Sequence, residues 1–485
     1  MEATLPASAR IETAPALALT AGPGLSSEGG VSSRSAGSKP CHVPTKKLEL
    51  ARKHAPRLSI PLRFMLTGLM ALWTGVAILW FRPDLLTEYH YGPQIIAVTH
   101  LFAIGFVGSV VMGAVYQMLP VILGGAASSI DSANPIRLHS ESAARKHYWW
   151  HLIGFSGMVL MFWIWNVKQI GHFGSIFATG VVMFAWNVRK TWKQHQVKDP
   201  AVFGMLSSVA WLVVAMLAGL YLSCAKAWPK ISFLDPVAQL HGHAHLALFG
   251  AFGILLVGVT YRLLPMFLLS EVQSPRRAWT SLFLLNGGVV GLVPTMAFRS
   301  PFKLLFVAVI AAGLVCFGME AAAIVQARKR RELDVSLRLF LVALSMFAPL
   351  TLLGVALSWP GVAPTPLLVQ LENVYGFLGL LGLLAPALQA MLLKILPFLV
   401  WYRVYGPEVG KKPTPTLAAM GSRNAQRAFA WLHMAGVLAA AAGIAMISET
   451  AVRAAWTAVV LGQACYAVNT LHVLRHLFQP QFPKA

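Results

Sequence analysis

Acidic residues are scarce in this chain: Asp and Glu number 17 against 39 Lys and Arg, and charged residues of both signs fill only 12% of its 485 positions. Soluble domains carry about twice that share of charge, so a series of water-soluble domains is excluded. Cysteine is scarcer. Cys41, Cys224, Cys316 and Cys465 lie far apart with no CxxC pair, which argues against a disulfide framework, a thiolate metal cluster and a c-type haem attachment. A signal peptide is also missing from the reading, because Ala16 to Gly22 is short and follows no basic region.

What fills the chain instead is apolar sequence, 57% of all residues. Runs near twenty residues recur, each long enough to cross about 30 Å of hydrocarbon. They predict an all-α fold, a polytopic membrane bundle of twelve transmembrane helices at about 61–81, 95–124, 148–165, 169–187, 202–223, 239–268, 278–298, 302–325, 337–358, 369–400, 427–447 and 453–476. Residues 1–58 are rich in Ala, Ser, Gly and Pro and predict a disordered cytoplasmic tail. Its basic end suits anionic lipid. The formal charge of +22 invites a nucleic-acid partner, but the distribution of that charge argues otherwise. Only Arg82, Lys168, Lys226, Lys230, Arg299, Lys303 and Arg453 fall in one set of alternate loops and adjoining span ends, and every other Lys and Arg falls in the tails, the opposite set of loops or the span ends beside them. That asymmetry is the positive-inside pattern. It places both termini in the cytoplasm and the chain in the inner, cytoplasmic membrane, with lipid and not nucleic acid as its partner.

Spans two, six and ten are the longest, and they share a pattern. His100 precedes Pro120 in THLFAIGFVGSVVMGAVYQMLP by the same twenty positions that separate His245 from Pro265 in HLALFGAFGILLVGVTYRLLP. The third copy, FLGLLGLLAPALQAMLLKILP, ends at Pro397 and has Phe377 in the histidine's place. Each long span is the second of a four-helix group, which predicts three pseudo-repeat modules at about 61–187, 202–325 and 337–476. Leu152-Ile153-Gly154 in span three also resembles the Leu432–Gly436 stretch in span eleven.

An ionisable residue inside a span is costly and marks a functional site by default. Histidine stays neutral near pH 7 and then ligates haem iron, copper or zinc. His241 and His245 are four positions apart, on one face of span six, and can address one metal. His243 points roughly opposite and reads as a hydrated residue of the outer interface. His100 stands alone on span two but shares the register of His245. These make His100 and His245 the candidate cofactor ligands, and His241, His245 and His100 the candidate metal ligands. Gln370, Glu372 and Asn373 open span ten, where Asn373 corresponds to His241 and Tyr375 to His243. They supply either a weaker ligand or ordinary helix-start polarity. His472 and His476, like His151, His172 and His433, read as polar residues near span ends. His90 falls in a loop, and Tyr116 and Tyr261 read as interfacial structure.

With those residues in view, the chain resembles subunit I of the haem–copper oxidase superfamily. The HGHAHL opening and YRLLP ending are most similar to its divergent branch of cbb-type oxidases and nitric oxide reductases, and to the NnrS-like haem- and copper-containing membrane proteins. The resemblance covers everything after the tail. It implies a b-type haem with His100 as an axial ligand, and copper on His241 or His245. It also implies a cytochrome c or another respiratory subunit as partner, and a role in respiratory electron transfer or nitric oxide handling; a catalytic version would be an oxidoreductase. Span ten has no histidine and neither does Ala278 to Phe298 in span seven, so a complete oxygen-reducing site is not implied. A metal or haem transporter, or an assembly factor, would use the same histidines.

Overall fold

The computed structural model describes residues 56–126, 136–232, 234–361 and 365–483. The tail expected at 1–58 therefore falls almost wholly outside the described residues. Among those described, every regular element is helical. The long helices are α1 (Ser59–Phe81), α2 (Pro93–Gly124), α3 (Glu141–Trp163), α4 (Val167–Trp192), α5 (Pro200–Ala227), α6 (Pro236–Leu268), α7 (Pro275–Ala297), α8 (Lys303–Gln326), α9 (Val335–Ser358), α10 (Pro366–Val404), α11 (Arg423–Ala445) and α12 (Glu449–Arg475). Ten of them are long and apolar enough to cross a membrane, which makes this an all-α, multi-pass membrane protein. The other two, α3 and α4, run for 23 and 26 residues. Polar stretches such as ESAARKH and RKTW at their charged ends lower their mean hydropathy.

Local chemistry sets the ends. Ser140, Asn166, Asp199, Asp235, Ser274, Asp334, Thr365, Ser422 and Ser448 each cap a helix by accepting a backbone N–H in its first turn. Pro93, Pro200, Pro236, Pro275 and Pro366 occupy first positions, where a missing N–H costs nothing. The Ser140 and Ser422 caps start α3 and α11 earlier than hydropathy suggests. His151 and His433 thus lie almost three turns inside their helices and are fully buried, not at span ends. His151 Nε2 lies 2.7 Å from Ser109 Oγ, and His433 Nε2–H donates to the Leu381 carbonyl at 3.1 Å.

The three longest helices, α2, α6 and α10, are also the most buried of the candidate spans. Each contains a π-helical stretch: Leu101–Gly108, His245–Gly253 and Leu378–Leu384. The stretches begin at or one residue after His100, His245 and Phe377, the three positions matched in sequence. A π turn widens the helix locally and shifts the faces that follow it. Around these three run the paired helices α3–α4, α7–α8 and α11–α12, whose starts are tied alike. Ser140 N–H donates to Asn187 Oδ1 at 3.0 Å, Ser274 N–H to Glu320 Oε1 at 2.9 Å, and Ser422 N–H to Asn469 Oδ1 at 2.9 Å. Glu320 is therefore a structural tie, held further by Arg277 Nε at 2.8 Å. Each pair also crosses closely at a glycine. A Cβ at Gly154 would sit 2.4 Å from the Phe177 nitrogen, and one at Gly436 would sit 3.0 Å from that of Val459. One at Gly288 would sit 2.4 Å from Ile310 Cγ1.

The first and last helices meet: Trp456 Nε1 on α12 donates to the Val76 carbonyl on α1 at 2.9 Å. At the same end the 82–92 loop folds onto α10. Between α5 and α6 the backbones touch at a glycine pair, where a Cβ on Gly204 would lie 2.6 Å from the Gly258 Cα. That approach sets α6 against α5 and fixes what its histidines can reach. Gly258→Val should force the helices apart and destabilise the protein by about 1–3 kcal/mol, read as a lower melting temperature in detergent. Gly287→Ala, with nothing within 4 Å of the added carbon, should melt like the wild type.

Candidate functional site

The end of the bundle with the fewest basic loops encloses a cavity of about 760 Å³. Its lining comes chiefly from α2, α5, α6, α8, α9 and α10, with the 82–92 loop at its mouth. The lining is mostly apolar, and five histidines interrupt it: His90, His100, His241, His243 and His245. A volume of that size is in the range of about 300–1,000 Å³ typical of sites for cofactors and other small molecules.

The buried imidazoles are oriented by carbonyl groups. His100 Nδ1–H donates to the Ile96 carbonyl at 2.8 Å, one turn back on α2. His245 Nδ1–H donates to the His241 carbonyl at 2.8 Å, one turn back on α6. His243 Nδ1–H reaches across to the Ala215 carbonyl on α5 at 3.0 Å. A carbonyl oxygen only accepts, so in the neutral form each ring carries its hydrogen on Nδ1 and a bare lone pair on Nε2. That is the arrangement in which a histidine is ready to ligate. His147 and His151 differ: His147 Nε2 and His151 Nδ1 are buried and have no hydrogen-bond partner among the described residues.

Helix α6 divides its histidines between two sides. His243 faces α2, where its ring lies 6.3 Å from that of His100 with planes 17° apart. Phe162 lies against the His100 ring at 4.6 Å with planes 28° apart. His245 faces α10, where its ring lies 5.8 Å from Tyr375 with planes 24° apart. The two pairings are equivalent in register, since Tyr375 matches His243 and His245 matches His100. His241, on the same side of α6 as His245, points toward the mouth and meets His90, with the two Nε2 atoms 3.1 Å apart.

The sequence-nominated residues His100, His241 and His245 therefore line one cavity but face different neighbours. Among the described residues one group of three or more potential metal ligands has all its ligand atoms within 4.8 Å, and it is His90, His241 and Glu372. His100 joins no such group, because α6 stands between it and the side that carries His241 and His245. Two of the cavity's histidines escaped the sequence reading. His90 looked like a loop residue, yet the loop is clamped. Gln370 Nε2 donates to the Thr87 carbonyl at 2.9 Å, and Asn373 Nδ2 donates to the Glu88 carbonyl at 2.9 Å. The opposite facing of His243 was legible from the helical period, but the partner waiting there was not. Burial lowers the His90 imidazole below its ordinary range, with the Asn373 hydrogen bond opposing, so His90 is neutral at pH 7.

The donor set suits a haem or a late transition metal. His100 and His243, on facing helices with rings 6.3 Å apart, would be the pair to hold a haem iron, which would supply reversible one-electron chemistry there. Comparison with known proteins adds no family: no family model matches the chain, and no curated protein matches it.

Asn373 is the keystone of the clamp, with hydrogen bonds worth about 0.5–1.5 kcal/mol each. Asn373→Leu should loosen the 82–92 loop, seen as faster amide exchange there and unchanged exchange in α11 and α12. Equal protection in both proteins would contradict the clamp.

Proposed function

We propose that this protein holds a redox cofactor, a b-type haem with or without copper, within a bundle of twelve spans and serves respiratory electron transfer or nitric oxide handling. The observation that carries the reading is the matched construction at His100 and His245. Both are fixed through Nδ1 to a carbonyl one turn back, both stand at the start of a π stretch, and both present Nε2 to one cavity. On this reading His100 and His243, between α2 and α6, would hold the haem iron, and His245 with Tyr375 would form a second station. A haem supplies reversible one-electron chemistry. The chain's own residues orient the ligating nitrogens, exclude water with an apolar lining and shield the His100 ring with Phe162. Lacking the family's histidines on spans seven and ten, the site resembles an electron-carrying or gas-sensing version of the haem–copper subunit more than an oxygen reductase.

The spans form three four-helix modules, 61–187, 202–325 and 337–476. Supporting this are the three π stretches in register, the three Ser-to-α-helix ties and the three close glycine crossings. With the basic loops in the cytoplasm, both termini lie inside and the cavity opens on the periplasmic side of the inner membrane, where a cytochrome c or another respiratory subunit would dock. A second reading, a metal or haem carrier or assembly factor, is favoured by the reach of the cavity, which runs from His90 at the mouth to Leu314 and Leu384 midway along α8 and α10.

Protein purified in detergent without a histidine tag should show a Soret band, a reduced-minus-oxidised difference spectrum and bound iron. His100→Ala and His243→Ala should each remove or shift the haem bands while the melting curve stays cooperative. Stoichiometric copper or zinc without haem would favour the carrier, and a colourless, metal-free protein would contradict both readings.

A further inference from the structure

Above the two aromatic pairs, at the mouth of the cavity, lies the cluster that neither of them uses. His90 comes from the 82–92 loop, His241 from the second turn of α6 and Glu372 from the second turn of α10. Their protonation can be followed from the backbone. Gln370 donates its Nε2 hydrogen to the Thr87 carbonyl, so its Oε1 is the atom left to accept from Asn373 Nδ2, at 3.0 Å. Asn373 Nδ2 also donates to the Glu88 carbonyl. The amide's orientation is thereby fixed, and Asn373 Oδ1 must accept from His90 Nδ1–H at 3.0 Å. His90 is left with a bare Nε2 lone pair, aimed at the Nε2 of His241 3.1 Å away.

Two facing imidazole nitrogens need something positive between them, a proton or a metal. Their 3.1 Å separation is close to the edge of about 3.3 Å between two ligands of a tetrahedral ion with 2.0–2.1 Å bonds. Glu372 brings a carboxylate oxygen within 4.8 Å of both, near enough for a rotamer change to complete the set. The result is a His₂Glu triad with an outer amide fixing one imidazole, the construction by which proteins hold zinc with an open fourth position.

We propose that His90, His241 and Glu372 form a binding site for a divalent transition-metal ion of the zinc class, at the cavity mouth and separate from the His100–His243 and His245–Tyr375 pairs. The ion would join the loop, α6 and α10, and so tie the mouth closed across three elements. Lys303 of α8 lines the same mouth and opposes a dication there.

The test uses full-length, tag-free protein in detergent, stripped with chelator and titrated with Co(II) and then Zn(II). One equivalent of Co(II) should bind with the intense visible absorption of a four- or five-coordinate site, and Zn(II) should displace it. His90→Ala, His241→Ala and Glu372→Gln should each weaken binding at least about tenfold, and Lys303→Met should strengthen it. His100→Ala and His243→Ala should leave the Co(II) spectrum unchanged. Glu372→Gln is near-isosteric and His90 lies on a loop, so melting curves for these two should match the wild type and separate lost ligation from lost folding. Absence of a stoichiometric Co(II) band, or binding unchanged in both His90→Ala and Glu372→Gln, would overturn the site. Failure of the haem reading would instead appear as a missing Soret band with the Co(II) site intact.

Discussion

A buried N–H must have an acceptor, and in an apolar bundle backbone carbonyls are the main supply. Everything at the cavity follows from how its histidines meet that demand. His100 and His245 take a carbonyl of their own helix, His243 takes one from α5, and His90 takes the side-chain oxygen of Asn373. Leaving a buried donor unpaired costs about 1–3 kcal/mol, so these choices are firmly held. Having spent Nδ1 on structure, each ring turns Nε2 to the interior, and a set of aimed lone pairs results. The same rule explains a purely structural histidine. His433 spends Nε2 on a carbonyl of the α10 π stretch, leaving Nδ1 to accept from Gln463.

The scaffold earns its rigidity from recurrent devices. Capped helix starts tied to a polar residue on the next helix hold the outer pairs, and small residues at crossings let backbones meet, as membrane packing requires without a hydrophobic drive between helices. The long helices α2, α6 and α10 are left to line the interior. Because α6 stands between the other two, its alternate histidines serve two sides. A helix with histidines at spacing two and four thus presents them to the helices on both of its sides.

Much of this was legible in the sequence. Hydropathy gives the helical class and most helix bounds to within a few residues, though α3 begins seven residues before the expected 148 and only ten of the twelve expected spans are apolar enough to cross a membrane. The histidine-to-proline spacing leads to the three helices that carry π stretches. The split of His243 from His241 and His245 follows from 3.6 residues per turn. Three things were not legible. Nothing local predicts that the 82–92 loop folds onto α10, because that depends on Gln370 and Asn373 some 283 positions away. The pairing of His100 with His243, not His245, depends on the order of helices around the bundle. The burial of His151 and His433 depends on where their serine caps start the helices, which hydropathy windows blur.

The claim on which the account stands is that His100 and His245 are neutral imidazoles protonated on Nδ1, with Nε2 bare and facing the cavity. Nitrogen-15 NMR of histidine-labelled, cofactor-free protein in lipid tests it directly, with His100→Gln and His245→Gln supplying the assignments. The account predicts that each substitution removes one Nδ1–H resonance and one unprotonated Nε2 resonance. Resonances showing the hydrogen on Nε2 for these two residues would contradict it, because the nitrogens turned toward the cavity would then be donors and not ligands.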